Sequence, residues 1–219
     1  MNKNLSGRVA AAALAAGSVI FAAGCSGSGE SPEEPPAKNS SLTSLSEICE
    51  GIFDSKTVAE VEKSIQVTDV YQGEIDKAEF SSAKVGGKLG REMDAGGLGT
   101  PVCFFDDKLG GKKQLEITFG WGFDAFPSDK DRDGSSTTYR IGAEGRPATT
   151  TMLVNCQRPD LVEQGEEMHP VEATLDDRMG LSTQARITLL HASAQKVLSA
   201  MKCQNEIDFP DPASIKPVA

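Results

Sequence analysis

The residue types best spaced for chemistry are Asp129, Asp131 and Asp133, in Asp129-Lys-Asp131-Arg-Asp133-Gly134. Alternate carboxylates followed by glycine open a calcium loop, because the acids converge on one hard cation while the glycine permits a sharp turn. An EF-hand would carry a bidentate Glu at its twelfth position. This chain has the cation Arg140 there, and Ser136 at the eighth position, where an apolar residue is usual. The flanks read as strands rather than helices, so an EF-hand is rejected. Two readings stay open. One is a calcium loop on a hairpin, borrowing Ser135, Thr137 or Glu144. The other is a solvated hairpin tip whose acid repulsion is blunted by Lys130 and Arg132.

Other candidate groups give less. Gly86-Gly-Lys-Leu-Gly90 suggests phosphate, but a phosphate loop needs Ser or Thr where Leu89 stands, between a strand and a helix. The stretch from Gly86 to Gly99 holds six glycines and reads as loop. His191 falls beside the apolar stripe of a final helix and is expected to be packed or half-exposed. His169 precedes Pro170 in a polar stretch. No G-x-S-x-G elbow is present. Asp106-Asp107 and Asp176-Asp177 are adjacent pairs, which a strand would send to opposite faces. No catalytic constellation emerges, and the chain is read as not an enzyme.

The five cysteines divide into one and four. Residues 1–24 have a positive start (Lys3, Arg8), an apolar run from Val9 to Ala23, and Gly24 before Cys25. That is the three-part order of a signal peptide. Its end, Ala22-Ala23-Gly24-Cys25, resembles the lipobox of bacterial lipoproteins, with Ala22 where Leu is preferred. Cys25 is therefore the expected lipidation site. Residues 25–42, rich in Ser, Gly, Pro and Glu, are the expected lipidated flexible tether. Acyl chains contribute roughly 0.8 kcal/mol per buried CH₂, so two or three of them anchor firmly.

The remaining cysteines, Cys49, Cys103, Cys156 and Cys203, show no C-x-x-C spacing, and neither histidine completes a zinc pattern. An even number in an exported chain reads as two disulfides. Three pairings exist. Cys49 opens the first helical region and Cys203 closes the last, while Cys103 and Cys156 lie in strand-like runs. The expectation is therefore Cys49–Cys203 with Cys103–Cys156.

Residues 43–219 are expected to form one α+β domain. Ser44-Leu-Ser-Glu47 is a capping-box pattern. Asp54 or Ser55 can cap a helix with Val58, Val61 and Ile65 on one face. Strands are expected at 66–72, 102–105, 115–121, 137–141, 149–156 and 171–175, with 137–156 making a hairpin. The stretch from Glu74 to Lys84 is ambiguous between helix and loop. Ser182 caps a last helix with the stripe Ile187, Leu190, Ala194, Leu198 and Met201. Helices at both ends around antiparallel strands give an α+β sandwich.

The order Cys49-Glu-Gly-Ile52-Phe53, capped helix, strand with Cys103, strand ending in Cys156 and long helix ending in Cys203 resembles the small actinobacterial lipoproteins of the DUF3558-like type. The likeness spans most of residues 45–205 and rests on spacing. It implies an envelope-associated α/β lipoprotein and no particular activity.

Charge sets the remaining bounds. Losing Lys3 and Arg8 with the leader takes the net charge from −10 to −12. Such a balance argues against nucleic acid and against basic attachment to anionic lipid. The expected protein is a lipoprotein on the outer face of the cell membrane, held through its N-terminal lipid. It acts as a binding or interaction module for an envelope protein or a small molecule, with no cofactor beyond the calcium candidate. The alternatives are an envelope hydrolase whose site assembles only in space, and a calcium-binding surface protein. A pocket joining a histidine to a buried carboxylate would favour the enzyme; a groove without them would favour binding.

Overall fold

The computed structural model describes residues 42–72, 81–91, 99–108, 111–122, 137–142, 147–161 and 169–215. The chain divides into units Met1–Pro36 and Ala37–Ala219, and every described residue belongs to the second. The signal segment, the tether before Leu42 and Cys25 lie outside the described residues.

Alternation builds the sheet. In β4 (Lys113–Trp121), Leu115, Ile117, Phe119 and Trp121 are buried while Glu116, Thr118 and Gly120 are half-exposed. Successive strand side chains point to opposite faces, so one face of β4 enters the core. Six more strands join it: β1 (Leu42–Ser44), β2 (Asp69–Gln72), β3 (Thr100–Asp106), β5 (Thr137–Ile141), β6 (Ala148–Val154) and β7 (Val171–Asp177). All pairings are antiparallel, in the order β1-β2-β3-β4-β7-β6-β5. Strands β5, β6 and β7 follow one another, and β4 lies beside β7, which is a Greek key. The expected hairpin of β5 and β6 is present.

Three helices share one hydrophobic cluster with the inward strand residues: α1 (Ser55–Ile65), α2 (Ser82–Leu89) and α3 (Thr183–Met201). The α+β class read from the sequence is the class observed. Asp54 caps α1 by accepting the Thr57 N–H at 2.7 Å, and Ser182 caps α3 by accepting that of Ala185 at 3.2 Å. α3 buries twelve of its 19 residues, including the whole expected stripe, which makes it the core helix.

Two local expectations are corrected. Ser44 does not cap a helix; it ends β1 opposite Asp69, and a 3-10 turn over Ile48–Gly51 follows without a side-chain cap. A residue already paired in a sheet cannot also start a helix beside it. The glycine-rich run is also not loop throughout, because α2 passes through Gly86 and Gly87. Gly86 faces α3 so closely that a Cβ there would lie 2.1 Å from the Val197 carbonyl oxygen. These glycines lower helix propensity by about 1 kcal/mol each, and contact between the two helix backbones offsets it.

The expected disulfide pairing is also corrected. The bridges are Cys49–Cys103 and Cys156–Cys203, with Cα separations of 5.0 and 5.1 Å. Strands β3 and β6 are separated by β4 and β7. At about 4.8 Å per strand step, level residues on them lie roughly 14 Å apart, twice the ~7 Å reach of a disulfide. Meanwhile α3 leaves the Asp177 end of β7 and runs back for about 28 Å. That brings Cys203 to the Val171 end, where Val154 pairs with Val171 and Cys156 follows. Each bridge closes a loop of about 50 residues, worth roughly 4 kcal/mol in the loop-entropy account.

Candidate functional site

A pair of hollows opens along the outward side of the C-terminal half of α3, and both are bordered by Gln195 and Ser199. Buried positions of α3 face the sheet and α2, which leaves Gln195, Lys196, Ser199 and Lys202 exposed on the remaining side. The first hollow, about 440 Å³, lies between Ala192, Lys196 and the segment Gly51–Asp54. The second, about 300 Å³, lies between Leu198, Lys202 and the segment that follows α3.

A left-handed turn walls the first hollow. Cys49, Glu50 and Gly51 have φ of 51°, 61° and 69°. For non-glycine residues this region costs of order 1–3 kcal/mol each. Three contacts hold the turn there. Cys49 is bridged to Cys103, the Glu50 carboxylate accepts the Ser82 N–H at 3.1 Å, and the Lys196 ammonium donates to the Glu50 carbonyl at 2.6 Å. Asp54, at the end of this wall, is held below the usual carboxylate range, chiefly by the backbone N–H of Thr57.

The second hollow is walled by a strap, residues 203–209. Its side chains alternate: Cys203, Asn205, Ile207 and Phe209 are half-buried, while Gln204, Glu206 and Asp208 are exposed. The strap is clasped to the chain leaving β6. Gln204 N–H donates to the Gln157 carbonyl at 2.9 Å; the Asn205 side chain accepts Gln157 N–H and donates to the Asn155 carbonyl, each at 2.7 Å. The Thr137 hydroxyl donates to the Asp208 carbonyl at 3.2 Å.

The groups most able to move protons are buried in the core, away from the open surface of these hollows. His191 is 7% exposed. Burial lowers its pKa to about 4, so it is neutral at ordinary pH. Its Nε2 lies 2.5 Å from the Tyr139 hydroxyl, and the Phe209 ring covers it at 5.0 Å between centroids. In the tautomer protonated at Nδ1, Nε2 accepts the Tyr139 proton in that bond. Burial also raises the Tyr139 pKa.

Asp177 is fully buried at the end of β7 and accepts the N–H groups of Met179, Gly180 and Leu181 at 2.7–3.1 Å. Burial raises its pKa, against those three bonds and the charge of Arg186. Arg186 is itself fully buried; its Nη2 donates to Thr183 Oγ1, while Nε and Nη1 have no hydrogen-bond partner. Neither His191 nor Asp177 lines either hollow.

The sequence candidates fall as follows. Asp129, Asp131 and Asp133 lie outside the described residues, as do Ser135 and Glu144. Among the described residues no group of three or more His, Cys, Asp or Glu side chains could hold a metal ion. Asp176 and Asp177 do take opposite faces: Asp176 is exposed and accepts the Thr149 hydroxyl at 2.6 Å. His191 is packed in the core, and His169 is half-exposed beside Pro170. The polar stripe Gln195, Ser199, Lys202 could have been read from its helical spacing, opposite the apolar stripe. The strap that completes the hollow carries a short period-two alternation, Glu206-Ile207-Asp208-Phe209, which the sequence reading did not use. In comparisons with family models, curated proteins and solved structures, nothing matches this chain.

Proposed function

We propose that the chain is a cell-envelope lipoprotein, anchored through lipid on Cys25, whose domain binds a ligand rather than transforming one. The observation that carries the binding half is the separation of open surface from proton-moving groups. The hollows along α3 offer amide, hydroxyl and ammonium groups and one carboxylate, Asp54, which is committed to capping α1 and held ionised by it, but no histidine, while His191 and Asp177 are enclosed and engaged in structural bonds. General acid–base catalysis needs such a group within hydrogen-bond reach of substrate. The anchoring half rests on Ala22-Ala23-Gly24-Cys25 and the polar stretch behind it. No helix among the described residues is long and apolar enough to cross a membrane.

Two measurements test this. Metabolic acyl labelling should mark the chain and be lost in Cys25→Ala; labelling of that variant would overturn the anchor. Chromogenic ester, peptide and glycoside substrates should be left unchanged by the chain. Turnover that His191→Gln abolishes would overturn the binding reading in favour of an enzyme.

A further inference from the structure

Charge in the second hollow runs against the chain's average. The chain as a whole carries −10, yet no carboxylate among the described residues lines this hollow. The alternation of the strap is the reason, since it turns Glu206 and Asp208 to solvent while Ile207 and Phe209 face inward. Lys202 is the one charged group among the described residues that line it.

The polar groups in the hollow are free. Among the described residues, the side chains of Gln195, Ser199 and Lys202 have no hydrogen bond or ion pair, whereas that of Asn205 is engaged with the chain leaving β6. Positions 195, 199 and 202 follow one another up a single stripe, spanning about 10 Å over two turns. At the C-terminal end of α3 the Arg158 guanidinium, itself paired with Asp160, donates to the Met201 carbonyl and so satisfies one of the last carbonyls of the helix. The facing walls, Leu198, Ile207 and Phe209, are apolar.

We infer that this hollow takes an amphipathic monocarboxylate, its apolar body against Leu198, Ile207 and Phe209 and its carboxylate on the Lys202 ammonium. The inference rests on the binding reading above and names its ligand class. A phosphate dianion would call for a denser set of donors than one ammonium with an amide and a hydroxyl. A hollow of about 300 Å³ is at the small end of ligand sites, which suits a medium-chain or single-ring acid.

Calorimetry on mature-length chain, residues 25–219 with Cys25→Ser so that no detergent competes, tests it with octanoate, octanol and octylamine. Octanoate should bind about tenfold more tightly than octanol, and octylamine not at all. Lys202→Gln, an exposed change, should bring octanoate down to the level of octanol. Ser199→Trp should fill the hollow and abolish uptake of both. Equal binding of octanoate and octanol, or full octanoate affinity in Lys202→Gln, would overturn the carboxylate assignment while leaving a binding domain. No heat with any of the three would overturn the hollow as an amphiphile site, independently of the turnover assay that judges the wider reading.

Discussion

Gly86 and Val197 bring two helix backbones into direct contact: a Cβ on Gly86 would lie 2.1 Å from the Val197 carbonyl oxygen and 2.8 Å from the Ala200 Cβ. Its neighbour Gly87 has only the Arg91 guanidinium, 3.6 Å away. Gly86→Ala should therefore push α2 off α3 and cost about 2–3 kcal/mol. Gly87→Ala should gain about 0.5–1 kcal/mol through helix propensity. Urea unfolding of the two variants reads both; equal effects would mean that the helices do not touch there.

Peptide mapping of the non-reduced protein should recover Cys49 joined to Cys103 and Cys156 joined to Cys203. Replacing Cys156 and Cys203 together by alanine should lower stability by roughly 2–4 kcal/mol. It should also loosen the strap, which hydrogen exchange at residues 204–209 would detect.

His191 makes stability depend on pH. Its pKa falls from 6.5 to about 4 on folding, so between those values the unfolded chain binds more protons. The contribution is complete above pH 6.5 and is lost as pH falls toward 4, to a total of about 3 kcal/mol. Asp177 and Asp106, whose pKa values burial raises, act in the opposite sense above the ordinary Asp value. The test is thus the difference between the chain and His191→Gln in melting temperature from pH 7 to 4. Parallel curves would show that His191 is not buried neutral.

Asp177 and Arg186 should behave unequally. Asp177→Ala strips the acceptor from three N–H groups and leaves the Arg186 charge without its counter-charge, at a cost of about 3–4 kcal/mol. Arg186→Met removes a buried cation with two unpartnered nitrogens and should cost far less. Chemical denaturation of both variants decides it, and a larger loss for Arg186→Met would reverse the assignment.

For the aspartate loop, calcium at millimolar concentration should give no heat with the chain. Heat that Asp131→Ala removes would instead establish Asp129, Asp131 and Asp133 as a cation site.

Several elements were legible because their signal is local. Alternation in Leu115, Ile117, Phe119 and Trp121 requires a strand with one buried face, and the 3.6-residue stripe from Ile187 to Met201 requires a helix on a core. Asp54 and Ser182 mark their helices because a cap is satisfied within three residues of chain. Composition and the segment ending at Cys25 set the expected address before any folding is considered.

Only the tertiary structure decided what meets what. Cysteine partners depend on strand order, and β7 inserting between β4 and β6 puts Cys103 out of reach of Cys156. The glycines at 86 and 87 punctuate a chain locally, yet become helix where α3 needs a close neighbour. Tyr139 and His191, 52 residues apart, meet because β5 pairs beside β6, and α3 packs on β6 and β7. The Lys202 hollow exists because the strap turns back along α3 with its acids outward. Local propensity acts over a few residues, while these contacts join segments far apart in sequence, and packing alone selects among them.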